Sequence, residues 1–341
     1  MKVVVGLSGG VDSAVASAIL VEEGHEVIGA NLRFHREGKT DERSALVAEG
    51  LGIRLLVIPA EDDFEKKVLE PFFAAYRDGL TPNPCVICNE LVKFATLFSA
   101  AEKMGAHAVA TGHYARIAPG PGGAESLFRA SDPSKDQSYM LYRILREKFS
   151  KLLFPLGCLT KTIVRERSHS LFPGLFKGVP ESKDLCFISG SQLGAVIQKN
   201  AGPFPGGKIV TVSGECIGCH SGLHRYTIGQ RKGLALSGGP WFVSGKDFET
   251  SELIVGGKEN LRVSKVFCTQ AIWHENPVDG TTLSACHRYR SRPSKCVLGG
   301  IEETSFSCFL PEGVEGVAPG QSLVLYYNDR VYGGGIIERT E

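Results

Sequence analysis

The feature that most constrains this 341-residue chain lies at its start, where Val3-Val4-Val5 runs into Gly6-Leu7-Ser8-Gly9-Gly10-Val11-Asp12-Ser13. An apolar strand that empties into small residues and then into a helix gathers backbone N–H groups and a positive helix end around one point, an arrangement that binds phosphate. Two common loop types are excluded. A Walker loop needs Gly-x-x-x-x-Gly-Lys-Ser/Thr and a dinucleotide fingerprint needs Gly-x-Gly-x-x-Gly, whereas this loop has no lysine and its glycines are adjacent. Gly9 and Gly10 leave room for a pyrophosphate against bare backbone, Ser8 and Ser13 offer hydroxyls, and Asp12 is a candidate Mg²⁺ ligand. The purely structural alternative is a glycine-rich turn in which Asp12 caps the helix.

Helical spacing of Val11, Ala14, Val15, Ala18 and Ile19 continues the loop into a helix that Gly24 closes. Val27 to Leu32, Leu55 to Ile58 and His107 to Thr111 read as buried strands; 41–49, 61–77 (with a break at Pro71) and 89–104 read as helices. Apolar strands alternating with helices imply an α/β fold with a doubly wound parallel sheet covered on both faces. The ligand then belongs at the carboxyl ends of the strands, where Ser8-Gly9-Gly10, Leu32 and Gly112-His113 fall. From Ser189 the chain turns glycine- and proline-rich between short β-like runs, and from Lys258 it is β-rich to its end. We therefore expect domains at 1–188, a small linking domain at 189–257 and a C-terminal β-barrel at 258–341.

A net charge of +1 gives no global sign of nucleic-acid binding, so such a reading rests on local patches. Arg143, Arg146, Lys148, Lys151, Lys161, Arg165 and Arg167 form one; His287, Arg288, Arg290, Arg292 and Lys295 form another. Either is also what a plain solvated face looks like. No stretch is expected to reach a membrane span and no charged leader precedes the first strand, which points to the cytoplasm. Ten cysteines in such a chain argue for reactive or metal-binding thiols rather than a disulfide scaffold.

Thr81-Pro82-Asn83-Pro84-Cys85-Val86-Ile87-Cys88-Asn89 reads as a proline-stiffened loop entering a helix, where the dipole favours a thiolate. Ser182-Lys183-Asp184-Leu185-Cys186-Phe187-Ile188 supplies a third cysteine at a polar-to-apolar junction. Cys158, Cys268, Cys286, Cys296 and Cys308 are read as small buried hydrophobes. Cys216-Ile217-Gly218-Cys219 is a further pair, placed in a turn, with no second pair at zinc spacing.

The loop at Gly6 to Ser13 resembles Ser-Gly-Gly-x-Asp-Ser, the pyrophosphatase loop of enzymes that adenylate a substrate. With Thr81 to Pro84, Cys88-Asn89, Lys93-Phe94, Thr111 to Arg116, Lys135 to Tyr139, Phe154 to Gly157, Cys186 to Ile188, Tyr226 to Leu234, Pro240 to Val243, Arg288 to Arg290, Pro319 to Gln321 and Gly333 to Gly335, nearly the whole chain resembles the tRNA-specific 2-thiouridylases.

The resemblance implies an ATP-pyrophosphatase domain that adenylates the C2 oxygen of the wobble uridine, after which a cysteine-borne sulfur displaces AMP to leave 2-thiouridine. In the family the cysteine matching Cys186 carries the persulfide and the one matching Cys88 is the nucleophile that closes a disulfide with it. Gly6, Leu7, Ser8, Gly9, Gly10, Val11, Asp12, Ser13, Leu32 and Gly112 match the ATP-binding positions. Asn83, Pro84 and Cys85 match the place where the flipped base lands, and His113, Lys135, Asp136, Gln137, Arg288, Tyr289 and Gln321 match positions that contact tRNA. Arg231 and Lys232 fit a phosphate contact or a domain support equally. The implied partners are tRNAs of the lysine, glutamate and glutamine type and a sulfur donor such as a cysteine desulfurase or relay protein.

The chain departs from the pattern at Cys85, where the family usually has Asp. Cys85, Cys88 and Cys186 thereby form a three-thiolate set of the kind that holds a [4Fe-4S] cluster with one open iron, an alternative route for the sulfur. The competing readings are another adenylating enzyme with this loop, such as a lysidine or 4-thiouridine synthase or an amide-forming synthetase, and an inactive RNA-binding or sulfur-carrying relative.

Overall fold

The computed structural model describes residues 1–34, 42–179, 185–188 and 192–341. The expected helix start at 41, Ser182 to Asp184 and the boundary at Ser189 lie outside the described residues. Two compact units are present, one of 1–69, 85–181 and 329–332 and one of 70–84, 182–328 and 333–341.

The first unit is the α/β body. Its strands are β1 (Lys2–Gly6), β2 (Glu26–Arg33), β3 (Arg54–Pro59), β4 (Ala108–Thr111) and β7 (Leu152–Leu153), ordered β3-β2-β1-β4-β7, each pairing parallel with its neighbours. Helix α1 (Val11–Glu22) follows β1, α2 (Glu42–Gly50) precedes β3, and α7 (Lys161–Leu171) follows β7. The all-apolar strands are explained by burial on both faces: Val3, Val4 and Val5 are wholly buried, Val3 and Val5 packing with Leu20, Ala108 and Ala110 on one side of the sheet while Val4 points to the other. A second cluster joins Leu7, Ala14, Val47, Phe172 and Phe176. Gly6 of β1 pairs with both Ala30 of β2 and Thr111 of β4, so strand order reverses there and the crevice of a doubly wound sheet opens at the loop after β1. A hairpin, β5 (Ala115–Pro119) and β6 (Glu125–Arg129), leaves β4 directly.

Two local expectations change. Helix α3 (Glu61–Phe64), a π-helical turn Glu65–Leu69 and α4 (Glu70–Arg77) run without a break at Pro71. A proline lacks its N–H and crowds the carbonyl four residues back, and the wider π turn just upstream accommodates this. The helix expected at Asn89 begins at Pro84, with α5 (Pro84–Cys88), a π-helical stretch Asn89–Phe94 and α6 (Ala95–Lys103). Proline at the first helical position fits because its missing N–H would have no partner there and its φ is preset. By length and composition Pro84–Lys103 also meets the test for a membrane span, against expectation; half of that window is buried in the fold.

The second unit begins at α4 and contains α8 (Leu193–Ala201), a small sheet and a barrel. The sheet orders β10 (Phe242–Asp247), β11 (Glu252–Gly256), β8 (Gly207–Thr211) and β9 (Cys216–His220) around Ile209, Leu223, Val243, Leu253 and Val255. The barrel runs β12 (Arg262–Trp273), β15 (Ser305–Glu315), β14 (Ser294–Gly299), β13 (Thr282–Cys286), β16 (Ser322–Tyr327) and β17 (Arg330–Thr340), with β12 also paired to β17, which closes it. Closure removes free sheet edges. Cys268, Cys286, Cys296 and Cys308 are buried barrel residues, as read from sequence, whereas Cys158 is exposed.

Gly112 shows how tightly the first unit is built. A Cβ there would sit 2.7 Å from the Asp12 carbonyl carbon and 2.8 Å from Ser13 N. Gly112→Ala is expected to lower the unfolding free energy by about 1–3 kcal/mol, the usual cost of overpacking; an unchanged urea midpoint would contradict this contact.

Candidate active site

The loop after β1 is held open by its own side chains. Gly9 takes φ +80°, which a side chain would resist, and Gly10 stands at the amino end of α1 in an extended conformation with no side-chain cap. Ser13 Oγ donates to Gly10 O at 3.0 Å and accepts from Ser8 N at 3.2 Å, and Asn31 Nδ2 donates to Leu7 O at 3.0 Å. Ser13 is thus a buried staple, while Ser8 is exposed at the mouth. Leu7 is fully buried, Val11 packs into the core, and Leu32 is half-buried at the carboxyl end of β2. Among the described residues no side chain caps the positive end of α1, which leaves it open to a phosphate.

Asp12 does not cap α1; it lies one residue inside the helix. Its Oδ1 accepts from Lys161 Nζ at 2.6 Å and from Tyr114 OH at 2.9 Å, and Lys161 is buried at the start of α7. Thr160 caps α7, its hydroxyl accepting from Ile163 N. Lys161, read from the sequence as one of a basic stretch, is instead buried against Asp12.

The two cysteines of the Cys-x-x-Cys lie not in a loop but on α5, Cys85 half-buried at its second position and Cys88 buried at its fifth. The adjoining π stretch is pinned by Asn89 Nδ2 donating to Met140 O at 2.9 Å and by Glu90 pairing with Arg143. His113, at the carboxyl end of β4, hydrogen-bonds Thr111 Oγ1 through Nδ1 at 2.7 Å and stacks on Phe94 with ring centroids 5.8 Å apart. Burial, with the Lys93 charge nearby, holds its imidazole well below the ordinary 6.5, so it is a neutral hydrogen-bonding group at pH 7.

The stretch Lys135 to Gln137 is more structural than the resemblance implies. Asp136 accepts from Ala130 N at 2.9 Å and from Ser138 Oγ at 2.9 Å, and Gln137 Oε1 accepts from Tyr114 N at 2.9 Å. Asp136 and Gln137 therefore shape the loop, and Lys135 N is bonded to Asp132 O. In the basic run from Arg143 to Arg167, three cations are engaged within the fold. Arg143 is buried against Glu90, Lys161 holds Asp12, and Arg167 pairs with Glu22.

In the second unit, Gln321 Nε2 donates to Thr81 O at 2.7 Å and Thr81 N donates to Pro319 O at 2.8 Å, so the segment carrying Asn83 and Pro84 is tied to the barrel turn at Pro319 to Gln321. Leu185, Phe187 and Ile188 pack with Phe72, Tyr76 and Ile197, leaving the Cys186 thiol exposed between anchored neighbours. Arg288, Arg290 and Arg292 between β13 and β14, and Lys295 on β14, are exposed, and Arg290 lies over the Tyr289 ring at 5.0 Å. His287 does not belong to that patch: it is buried, and burial beside Arg288 pushes its pKa down to about 4. Cys216 and Cys219 lie on strand β9, not in a turn, both exposed and separated by a bulge in its pairing with β8. Among the described residues no group of three or more His, Cys, Asp or Glu converges to hold a metal.

Residues 1–190 match the tRNA methyl transferase HUP domain, 195–257 the tRNA methyl transferase PRC-barrel domain and 263–337 the aminomethyltransferase beta-barrel domain. The tRNA-specific 2-thiouridylase MnmA of Geobacter metallireducens is 38% identical over 99% of this chain and 96% of its own length, and that of Helicobacter pylori strain G27 is 37% identical over 99% and 100%. The chain belongs to the tRNA-specific 2-thiouridylase family. Among solved structures, a 4-thiouridine synthetase–RNA complex with bound ATP matches with a TM-score of 0.36 at 18% identity, covering 59% of this chain and 50% of that one.

His113 gives a pH prediction. Its folded pKa lies below the unfolded 6.5, so the stability its burial permits is present above about pH 6.5 and is lost as pH falls through the lowered value. Ring-proton NMR is expected to show a titration midpoint well below 6.5; a midpoint at 6.5 or above would contradict the burial.

Proposed function

We propose that this chain uses ATP to adenylate the C2 oxygen of the wobble uridine of tRNA and then exchanges that oxygen for sulfur, giving 2-thiouridine, AMP and pyrophosphate. The observation that carries this reading is near-full-length membership of the 2-thiouridylase family together with an uncapped phosphate cradle at the sheet's switch point. A carbonyl oxygen is a poor leaving group; as part of an adenylate it leaves as AMP.

We assign the steps as follows. The uridine O2 attacks the α-phosphorus of ATP and the α–β bond breaks, with pyrophosphate received by the backbone at Ser8, Gly9 and Gly10. Lys161 lies within reach of the same helix end through Asp12 and supplies positive charge as the leaving group forms. Mg²⁺ would be held by Asp12, whose two protein contacts are both on Oδ1 and whose side chain is 38% exposed; it neutralises phosphate charge when bound. The terminal sulfur of a Cys186 persulfide then attacks C2 and AMP leaves. The Cys88 thiolate attacks Cys186 Sγ, releasing thiolated tRNA and leaving a Cys88–Cys186 disulfide that a cellular thiol must reduce. Exposure of Cys186 supports loading by a separate sulfur-donor protein, and we assign the substrates to the lysine, glutamate and glutamine tRNAs on the resemblance.

Mass spectrometry of nucleosides after incubation with ATP, unmodified tRNA and a persulfide donor should find 2-thiouridine. Cys88→Ala and Cys186→Ala are expected to lower its formation by about a thousandfold or more while tRNA-dependent pyrophosphate release persists. Lys161→Met is expected to slow pyrophosphate release by about a hundredfold, the scale of one lost electrostatic stabiliser. Wild-type thiolation by Cys88→Ala would overturn the cysteine assignment.

A further inference from the structure

The small sheet of the second unit carries a feature that neither adenylation nor sulfur transfer uses. A notch of about 200 Å³ opens beside β10, lined by Arg231, Gly233, Leu234, Leu236 and Trp241 among others, with no carboxylate in its lining. Arg231 and the adjacent Lys232 are exposed, while Leu234 is buried and forms a solid apolar floor. Leu236 and Trp241 pack on the cluster of Ile209, Leu253 and Val255, so one part of the indole is anchored and the rest is open.

The notch is fixed before any ligand arrives. Trp241 Nε1 donates to Ser237 O at 2.8 Å, which sets the ring's orientation. Gln230 Oε1 accepts from Thr227 N at 3.0 Å while its Nε2 donates to Lys232 O at 3.0 Å, and Val243 N donates to Gln230 O at 3.0 Å, so the turn bearing the two cations is tied to β10. Ala235 holds a left-handed φ of +52°, a strained conformation for a residue with a side chain. A Cβ on Gly239 would lie 2.7 Å from Trp241 N, so the bare glycine lets the turn bring the indole to the notch.

A planar apolar ring beside two exposed cations, without acidic groups, is complementary to a base with its phosphate. Pockets for whole cofactors run to about 300–1,000 Å³, so this one suits a single ring. Base-on-aromatic stacking tolerates any sequence, and lysine and arginine supply the phosphate contact. We propose that this notch docks one unpaired nucleotide of the RNA substrate, its base against Trp241 and its phosphate on Arg231 and Lys232. This rests on the reading of tRNA as substrate.

The test is binding of unmodified substrate tRNA to the full chain, followed by fluorescence anisotropy across a salt series. The double variant Arg231→Gln, Lys232→Gln alters only exposed side chains; it is expected to weaken binding about tenfold and to reduce the slope of log affinity on log salt by about one to two. Trp241→Leu, which keeps an apolar group against the cluster, is expected to weaken binding about tenfold with the slope unchanged. Tryptophan fluorescence of wild type should be quenched by tRNA, and that quench should vanish in Trp241→Leu. Wild-type affinity and slope in the cation variant, with tRNA still bound, would overturn the notch but leave the thiolation reading intact. Lost binding of the sulfur-donor protein with tRNA binding unaltered would assign the notch to a protein and overturn the proposal. Failure of the wild-type protein to bind tRNA at all would overturn both readings.

Discussion

The uncapped amino end of α1 is the constraint on which the first unit turns. The first backbone N–H groups of that end have no intrahelical partner, and among the described residues no side chain caps them: Gly10 stands where a capping side chain would be, and Asp12 is drawn off to Lys161 and Tyr114. Everything around it serves that opening. Ser13 staples the loop, Asn31 holds its carbonyl from β2, and Gly112 lets the end of β4 press against the first turn of α1. Three elements, α1, the segment after β4 and α7, thus meet on one carboxylate oxygen, and the pair Asp12–Lys161 keeps a cation beside a site that must take a highly charged substrate.

The sulfur chemistry demands a different construction. A sulfur acceptor has to be reached from outside, and Cys186 is exposed between Leu185 and Phe187, whose packing with Phe72 and Tyr76 holds the backbone while leaving the thiol accessible. Cys88, by contrast, is buried within a helix that begins at Pro84. One thiol built for access and one built for shelter agree with the assigned order, in which sulfur is received at Cys186 and Cys88 acts only after transfer to the base.

Much of this was legible in the sequence, and the failures have physical causes. The strand–loop–helix at Val3 to Ser13 was readable because close phosphate approach permits only small residues, and the parallel sheet because strands buried on both faces show no alternation. Lys161 was not, since an ion pair spanning 149 positions leaves no local pattern and a buried lysine looks like any other charge in a basic run. Asp136 and Gln137 match a substrate-contact motif yet spend their side chains on Ala130, Ser138 and Tyr114, which only coordinates could tell apart. His287 shows the same limit: composition gives the chemical type, and burial decides whether that type is usable.

The central claim is that the uridine oxygen itself leaves as part of AMP. Substrate tRNA carrying heavy oxygen at C2 of the wobble uridine, incubated with ATP and a persulfide donor, tests it directly by mass spectrometry of the released AMP. The account predicts one heavy oxygen in each AMP phosphate, formed in step with 2-thiouridine. Unlabelled AMP alongside thiolated tRNA, with the heavy oxygen in water, would contradict it.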